Sequence, residues 1–275
     1  MLMGGYMGDY IHNLFTDTLI LDTETTSLDF KEAEIIQYAA ADTMYVLNTI
    51  LEKEYKIPST FHMPSKAITP EISSITTITN RMVSGCPNFR DTLDTVQEQL
   101  NNYKYFVAHN AYYDKGVLEA QGLTVPQEIC TLRLARKLFA DDEKITQHSL
   151  QYLRYARNLP IPDNIPSHLA DADVIVTGAL FADLITETII RKIIDPKIDD
   201  IGKQLIEWLA APVITTIMPF GKHKGKKFTE VPISYWQWAL DNFDSLNEED
   251  AAYDKDFSMS VAIAIEEILE AAGND

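Results

Sequence analysis

Three strand-like runs follow one another before any segment with helical spacing. Residues 18–23 (TLILDT), 35–42 (IIQYAAAD) and 44–55 each read as a strand, with a turn before the third. A doubly wound sheet alternates each strand with a helix, so three strands in succession argue against it. They predict a mixed sheet with an antiparallel meander. Strands then alternate with helices, which places the chain in the α/β class.

Helical spacing begins over 70–100, where Pro70 can open a first turn and Thr92, Val96 and Leu100 recur four apart. Residues 105–108 (YFVA) read as a short strand, and a helix follows from Asn110 with Val117 and Leu118 on its inner side. Residues 129–139 start as a strand or turn and become helical, and 150–156 form another helix. Pro160, Pro162 and Pro166 mark a loop, since each disfavours helix at the residue before it. A strongly apolar helix is expected over 169–190. Composition shifts after Ile194. The expected division is a domain over 16–191, a connector over 192–211 and a small α+β module over 212–272, with a helix at 260–272.

Of the 275 residues, 46% are hydrophobic and 23% charged, so wholesale disorder is excluded. The most apolar stretch, 174–185, contains Asp183 and falls well short of the ~20 residues of a membrane span. The N-terminus has no basic region followed by an apolar block, so no secretory signal is expected. Cys86 and Cys130 form neither a C-x-x-C pair nor a zinc spacing. They read as reduced thiols of a cytoplasmic protein with no membrane partner.

The formal net charge is −18, which on its own argues against a nucleic-acid partner. Two considerations weaken that argument. Metal sites concentrate carboxylates whose sign bound cations reverse. Exposed charges are also screened beyond roughly 8–10 Å at physiological salt.

Three acid-bearing segments matter most. Asp22 and Glu24 stand in L-D-T-E-T-T-S-L at the end of the first strand. Residues two apart on a strand share a face, so both carboxylates can converge on one hard cation, while Thr23 points into the opposite layer. Asp114 closes V-A-H-N-A-Y-Y-D and falls in a helix first turn, which favours an acid in any case. His109 and Asn110 are turn or cap candidates. The third segment is H-L-A-D-A-D, His168 to Asp173. On one regular helix, positions five apart diverge by about 140°. Pro166 instead places His168 on the loop before the helix, from where it can fold over the same site as Asp173.

A strand-end D-x-E, a V-x-H-N-A-x-x-D and an H-x-A-x-x-D in this order resemble the DEDDh exonucleases. These form the branch of the RNase H-like fold that includes proofreading exonucleases and RNase T. The resemblance covers roughly residues 16–190 and implies a mixed five-stranded sheet flanked by helices. It also implies 3′→5′ phosphodiester hydrolysis with two Mg²⁺ ions about 3.5–4 Å apart, for which Mn²⁺ can substitute. Asp22 is then expected to bridge both ions. Glu24 and Asp173 would complete the nucleophile-side ion, and Asp114 would hold the other directly or through water. His168 would be the general base, a task suited to an imidazole with its ordinary pKa of about 6.5. Thr25 and Thr26 are expected at the 3′ end, with Asn110 among the substrate contacts. Leu28 is open to two roles, a wedge against the terminal base or core packing. Where many relatives carry I-H-G-I-T, this chain has Ile75-Thr76-Thr77-Ile78-Thr79, which bears on substrate preference rather than on catalysis.

The segment P-F-G-K-H-K-G-K-K-F, followed by P-I-S-Y-W-Q-W-A-L, resembles the appended module of the bacterial exodeoxyribonuclease X family. That resemblance points to DNA, as single strands or duplex 3′ ends, and to DNA repair or end processing. RNA trimming and a catalytically silent nucleic-acid-binding module are the alternatives. Lys222, Lys224, Lys226 and Lys227 cluster without a compensating acid, and Gly221 and Gly225 suggest a tight turn. This basic hairpin, Lys222 and Lys224 above all, either contacts phosphates or is a solvated turn. Tyr235, Trp236 and Trp238 either stack on bases or pack a small core.

Overall fold

A computed structural model of the chain describes residues 9–53, 56–140, 142, 144–162, 164–197, 200–218, 220–247 and 254–273. The described residues form two compact units, one within Met1–Ala135 and Gln147–Glu207, the other within Arg136–Thr146 and Trp208–Asp275.

In chain order the elements of the first unit begin with α1 (Asp9–Thr16), β1 (Thr18–Thr25), β2 (Ile35–Asp42), α2 (Thr43–Glu52) and β3 (Ser59–Phe61). Next come α3 (Pro70–Thr76), α4 (Asn80–Val83), α5 (Leu93–Asn101), β4 (Tyr105–Ala108), α6 (Ala111–Ala120) and β5 (Gln127–Cys130). Then follow α7 (Thr131–Leu138), α8 (Leu150–Ala156), α9 (Ala170–Ile190) and α10 (Ile201–Ala210), of which α7 and α10 each begin in this unit and end in the second. The five strands form one sheet in the order β3-β2-β1-β4-β5. β1 pairs antiparallel with β2 and parallel with β4, β2 is antiparallel to β3, and β4 is parallel to β5. This is the mixed, helix-flanked sheet of the RNase H-like fold.

One expectation fails within it. Residues 44–55 are not a third strand, because 43–52 is the helix α2. The Asp42 carboxylate caps it by accepting from the backbone N–H of Tyr45, and Val46, Leu47 and Ile50 bury one face. Lys53 ends it in the left-handed region; Glu54 and Tyr55 lie outside the described residues. The third strand is the short β3, so the antiparallel run survives with a helix inserted in it.

β1 is covered on both faces, which explains its unbroken apolar start. Leu19 and Leu21 pack with Val96 and Leu100 of α5 and Val117 and Leu118 of α6. On the other face α9 lies against β1, β2 and α2. Gly178 permits that approach, since a Cβ there would sit 2.5 Å from Val46 Cγ1. The rings of Phe15 on α1 and Phe181 on α9 meet at 5.7 Å. Both cysteines are free. No helix among the described residues is long and apolar enough to cross a membrane.

The second unit contains α11 (Ile233–Asn242) and α12 (Lys255–Gly273). Its core gathers Met218, Phe228, Val231, Trp236, Phe257 and Val261. Trp236 is fully buried and donates from its indole N–H to the Phe228 carbonyl at 3.2 Å, whereas Trp238 is half exposed. Trp236 thus packs the small core, the second of the two roles left open by the sequence. Residues 217–227 double back through an Ile217–Lys227 antiparallel bridge, with Gly221 (φ +68°) and Gly225 (φ +83°) in the left-handed region that glycine accepts. Lys222, Lys224, Lys226 and Lys227 are all exposed, and Lys222 Nζ lies 5.6 Å from the Tyr235 ring centroid.

Candidate active site

β1 delivers Asp22 and Glu24 to one face at the end of the central strand, where their cross-strand partners are Ala39 and Gln37. A register shift between Glu24 and Thr25 ends the regular pairing there. α9 brings Asp173, in its first turn, over the same face. Carboxylate oxygens of Asp22, Glu24 and Asp173 all lie within 4.8 Å of one another.

Asp114 arrives from the other side of the sheet. It sits in the first turn of α6, and its Oδ1 accepts from the backbone N–H of Thr23 at 3.1 Å and from the Thr23 hydroxyl at 2.8 Å. Thr23 does point into the opposite layer, and that layer is where it meets Asp114. Asp114 stands outside the cluster of three, yet its charge reaches both Asp22 and Glu24.

The electrostatics describe a site that resists its own charge. Burial, then the charges of Asp114, Asp173, Glu24 and Asp171, push Asp22 well above the ordinary carboxylate range. Burial and the charges of Asp173 and Asp114 raise Glu24 to about 8. Burial raises Asp114 to about 7 against the opposing bonds from Thr23. Asp173 is also raised by burial, less so because the His168 backbone, the His168 charge and the Gln151 amide favour its ionised form. A divalent cation held by Asp22, Glu24 and Asp173 would reverse that balance. The all-oxygen donor set of the cluster suits a hard ion such as Mg²⁺ or Mn²⁺.

His168 is exposed on the loop before α9 with φ +60°, and its backbone N–H donates to Asp173 Oδ2 at 3.1 Å. Asn110 is also left-handed (φ +72°) and exposed. It occupies the N-cap position of α6, but its side chain makes no capping bond. The His109 ring lies 3.0 Å from both the Thr131 hydroxyl and the His148 carbonyl. Thr25 is buried, with its hydroxyl 2.5 Å from that of Tyr113 and 3.0 Å from the Ser27 carbonyl. The Tyr113 hydroxyl also donates to Ser27. Beyond this clamp Leu28 is 86% exposed, which removes core packing as its role.

Sequence reasoning missed four polar side chains that shape the site. Thr23 and Tyr113 are two of them. Gln37, 1% exposed, accepts from the Ala170 N–H and donates to Asp171, both at 3.0 Å, pinning the start of α9 to the sheet. Gln151 donates to Asp173 Oδ1 at 2.9 Å. Gln37 carried a signal, being a lone amide inside an apolar strand that must find partners when buried.

A model of the family described as Exonuclease (RNase_T) matches residues 19–181, a span that holds all five residues of the acid and histidine motifs. The chain belongs to the Exonuclease family. Its members of this DEDD type are 3′–5′ exonucleases, and the chain is such a phosphodiester hydrolase. Exodeoxyribonuclease 10 of Escherichia coli (strain K12) is 28% identical over 236 residues, covering 84% of this chain and 93% of that protein. The 3′-5′ exonuclease DinG of Bacillus subtilis (strain 168) is 30% identical over 176 residues, 61% of this chain and 17% of the relative. Among solved structures, Exonuclease X in complex with 5′ overhanging duplex DNA is 28% identical, with a TM-score of 0.47 over 62% of this chain and 91% of that one. Residues 205–242 match a second family, named for a quorum-sensing-regulated virulence factor, a description that specifies no chemistry.

Proposed function

We propose that this exonuclease removes nucleotides from the 3′ ends of DNA as nucleoside 5′-monophosphates, in DNA repair or end processing. The observation that carries the reading is the convergence of Asp22, Glu24 and Asp173 at the end of the central strand, with Asp114 tied to Thr23 beside them. Exodeoxyribonuclease 10, matched over nearly its whole length, supports DNA over RNA.

In this reading Asp22, Glu24, Asp114 and Asp173 hold two Mg²⁺ ions, with Mn²⁺ able to substitute. When bound, such ions lower the pKa of water and neutralise charge on the phosphate and the leaving 3′ oxygen. The protein's own residues do the rest. His168, at the rim on its loop, takes the proton of the attacking water. Thr25 and Asn110 position the 3′ nucleotide. Leu28, projecting from a loop clamped by Tyr113, presses against the terminal base. Lys222 and Lys224 contact DNA backbone phosphates.

The test is an assay with Mg²⁺ on single-stranded DNA, duplex DNA and RNA, run beside Asp22→Ala and His168→Ala. Monophosphate release from DNA, lost in both variants, is the expected result. Faster release from RNA would reassign the substrate. Binding without hydrolysis would make the chain a silent nucleic-acid-binding protein.

A further inference from the structure

Asp173 is oriented from outside its own helix. Gln151, on α8, donates to its Oδ1 at 2.9 Å, and the His168 N–H donates to its Oδ2 at 3.1 Å. Behind Gln151 stands Arg154, only 3% exposed. Its Nη1 donates to Gln151 Oε1 at 3.1 Å and to the Ile165 carbonyl at 3.0 Å, while Nη2 donates to the Pro162 carbonyl at 2.5 Å. Residues three apart on a helix share a face, which is how Gln151 and Arg154 meet.

A buried guanidinium is unfavourable unless its donors are used. All three of these bonds go to groups that set the geometry of the site. Two hold the loop that ends in His168. The third occupies the Gln151 carbonyl oxygen, so the NH₂ end of that amide must face Asp173. The left-handed backbone of His168, rare for a residue other than glycine, needs neighbours that enforce it.

We propose that Arg154 and Gln151 form a positioning relay. Arg154 ties the His168 loop and the Gln151 amide to one rigid planar cation, and Gln151 sets the Asp173 carboxylate. Both are positioning residues, since neither reaches the reacting atoms. The inference rests on the reading of Asp173 as a cation ligand and His168 as the base. Removing a group that hydrogen-bonds to a metal's ligand typically lowers metal affinity or activity by about 10–100-fold.

The decisive variant is Gln151→Met, which keeps the length of the side chain and removes both amide contacts from a partly buried position. Mn²⁺ affinity of the DNA-free protein, read by calorimetry or electron paramagnetic resonance, should fall by about 10-fold, and kcat by about 10–100-fold. KM for DNA should stay at its wild-type value, and Tm should fall only slightly, because Arg154 Nη1 keeps the Ile165 carbonyl when it loses Gln151. A second variant, Arg154→Lys, keeps the charge and loses the fork. It should speed backbone hydrogen exchange in the loop before α9 and lower kcat. Wild-type Mn²⁺ affinity and kcat in Gln151→Met, or a fall in Tm alone, would overturn the relay while the wild-type enzyme remained active. A wild-type protein that neither binds Mn²⁺ nor releases nucleotides would overturn the reading of the site, and the relay with it.

Discussion

At the end of β1, carboxylates crowd within 4.8 Å of one another, and burial drives their pKa values upward. On the 217–227 turn of the other unit, four lysines stand in solvent around two left-handed glycines. The first arrangement opposes its own ionisation and is held in place by Thr23, Gln151 and the His168 backbone. The second needs no such support, because exposed lysines keep their hydration. In the proposed reading, a cation-holding site has to be built residue by residue, whereas a phosphate-facing turn needs only to project its charges. The chain's net charge of −18 therefore says little about either region.

Four changes break or sharpen this contrast. Asp22→Ala should reduce nucleotide release by about 10³-fold, equivalent to ~4 kcal/mol of lost transition-state stabilisation. His168→Ala should lower kcat by about 10²-fold, at the low end for a general base, and leave Mn²⁺ affinity unchanged. Replacing Lys222, Lys224, Lys226 and Lys227 by alanine should leave Mn²⁺ binding intact and flatten the salt dependence of single-stranded DNA binding by up to about 3 in log–log slope. An unchanged slope would remove the lysine turn from the binding surface. Leu28→Ala should raise KM on duplex ends by about fivefold, the ~1 kcal/mol of a partly buried leucine, with less effect on single strands.

The pH dependence of stability sharpens it further. Glu24 is raised from 4.5 to about 8 and Asp114 from 3.8 to about 7 in the folded protein. Between the unfolded and folded values the native state binds more protons, so metal-free stability falls as pH rises through that window. Tm without metal should therefore decline from about pH 5 to about pH 8. Mg²⁺ should raise Tm more at pH 8 than at pH 5, since it binds the ionised form. A metal-free Tm that climbs with pH would show that these acids are not buried together.

Much of this was legible in the chain, for identifiable reasons. Strand period put Asp22 and Glu24 on one face, and Pro166 placed His168 off the helix. Residues 44–55 misled because seven of their twelve side chains are apolar, which suits a strand or one face of a buried helix, and the Asp42 cap decides for the helix. Gln151 and Arg154 were invisible for a different reason. Polar residues three apart on a helix usually mark a solvated face, and it is the Pro162 and Ile165 carbonyls, further along the chain, that engage Arg154. Asp114 was expected with the other acids, but its tie to Thr23 depends on α6 lying on the far side of the sheet.

The most direct test is a Mn²⁺ anomalous difference map from crystals grown with a nucleoside 5′-monophosphate. Two peaks about 3.5–4 Å apart, bridged by Asp22 and flanked by Glu24, Asp173 and Asp114, are the expected result. Catalytically active crystals with no peak within reach of Asp22 would contradict it.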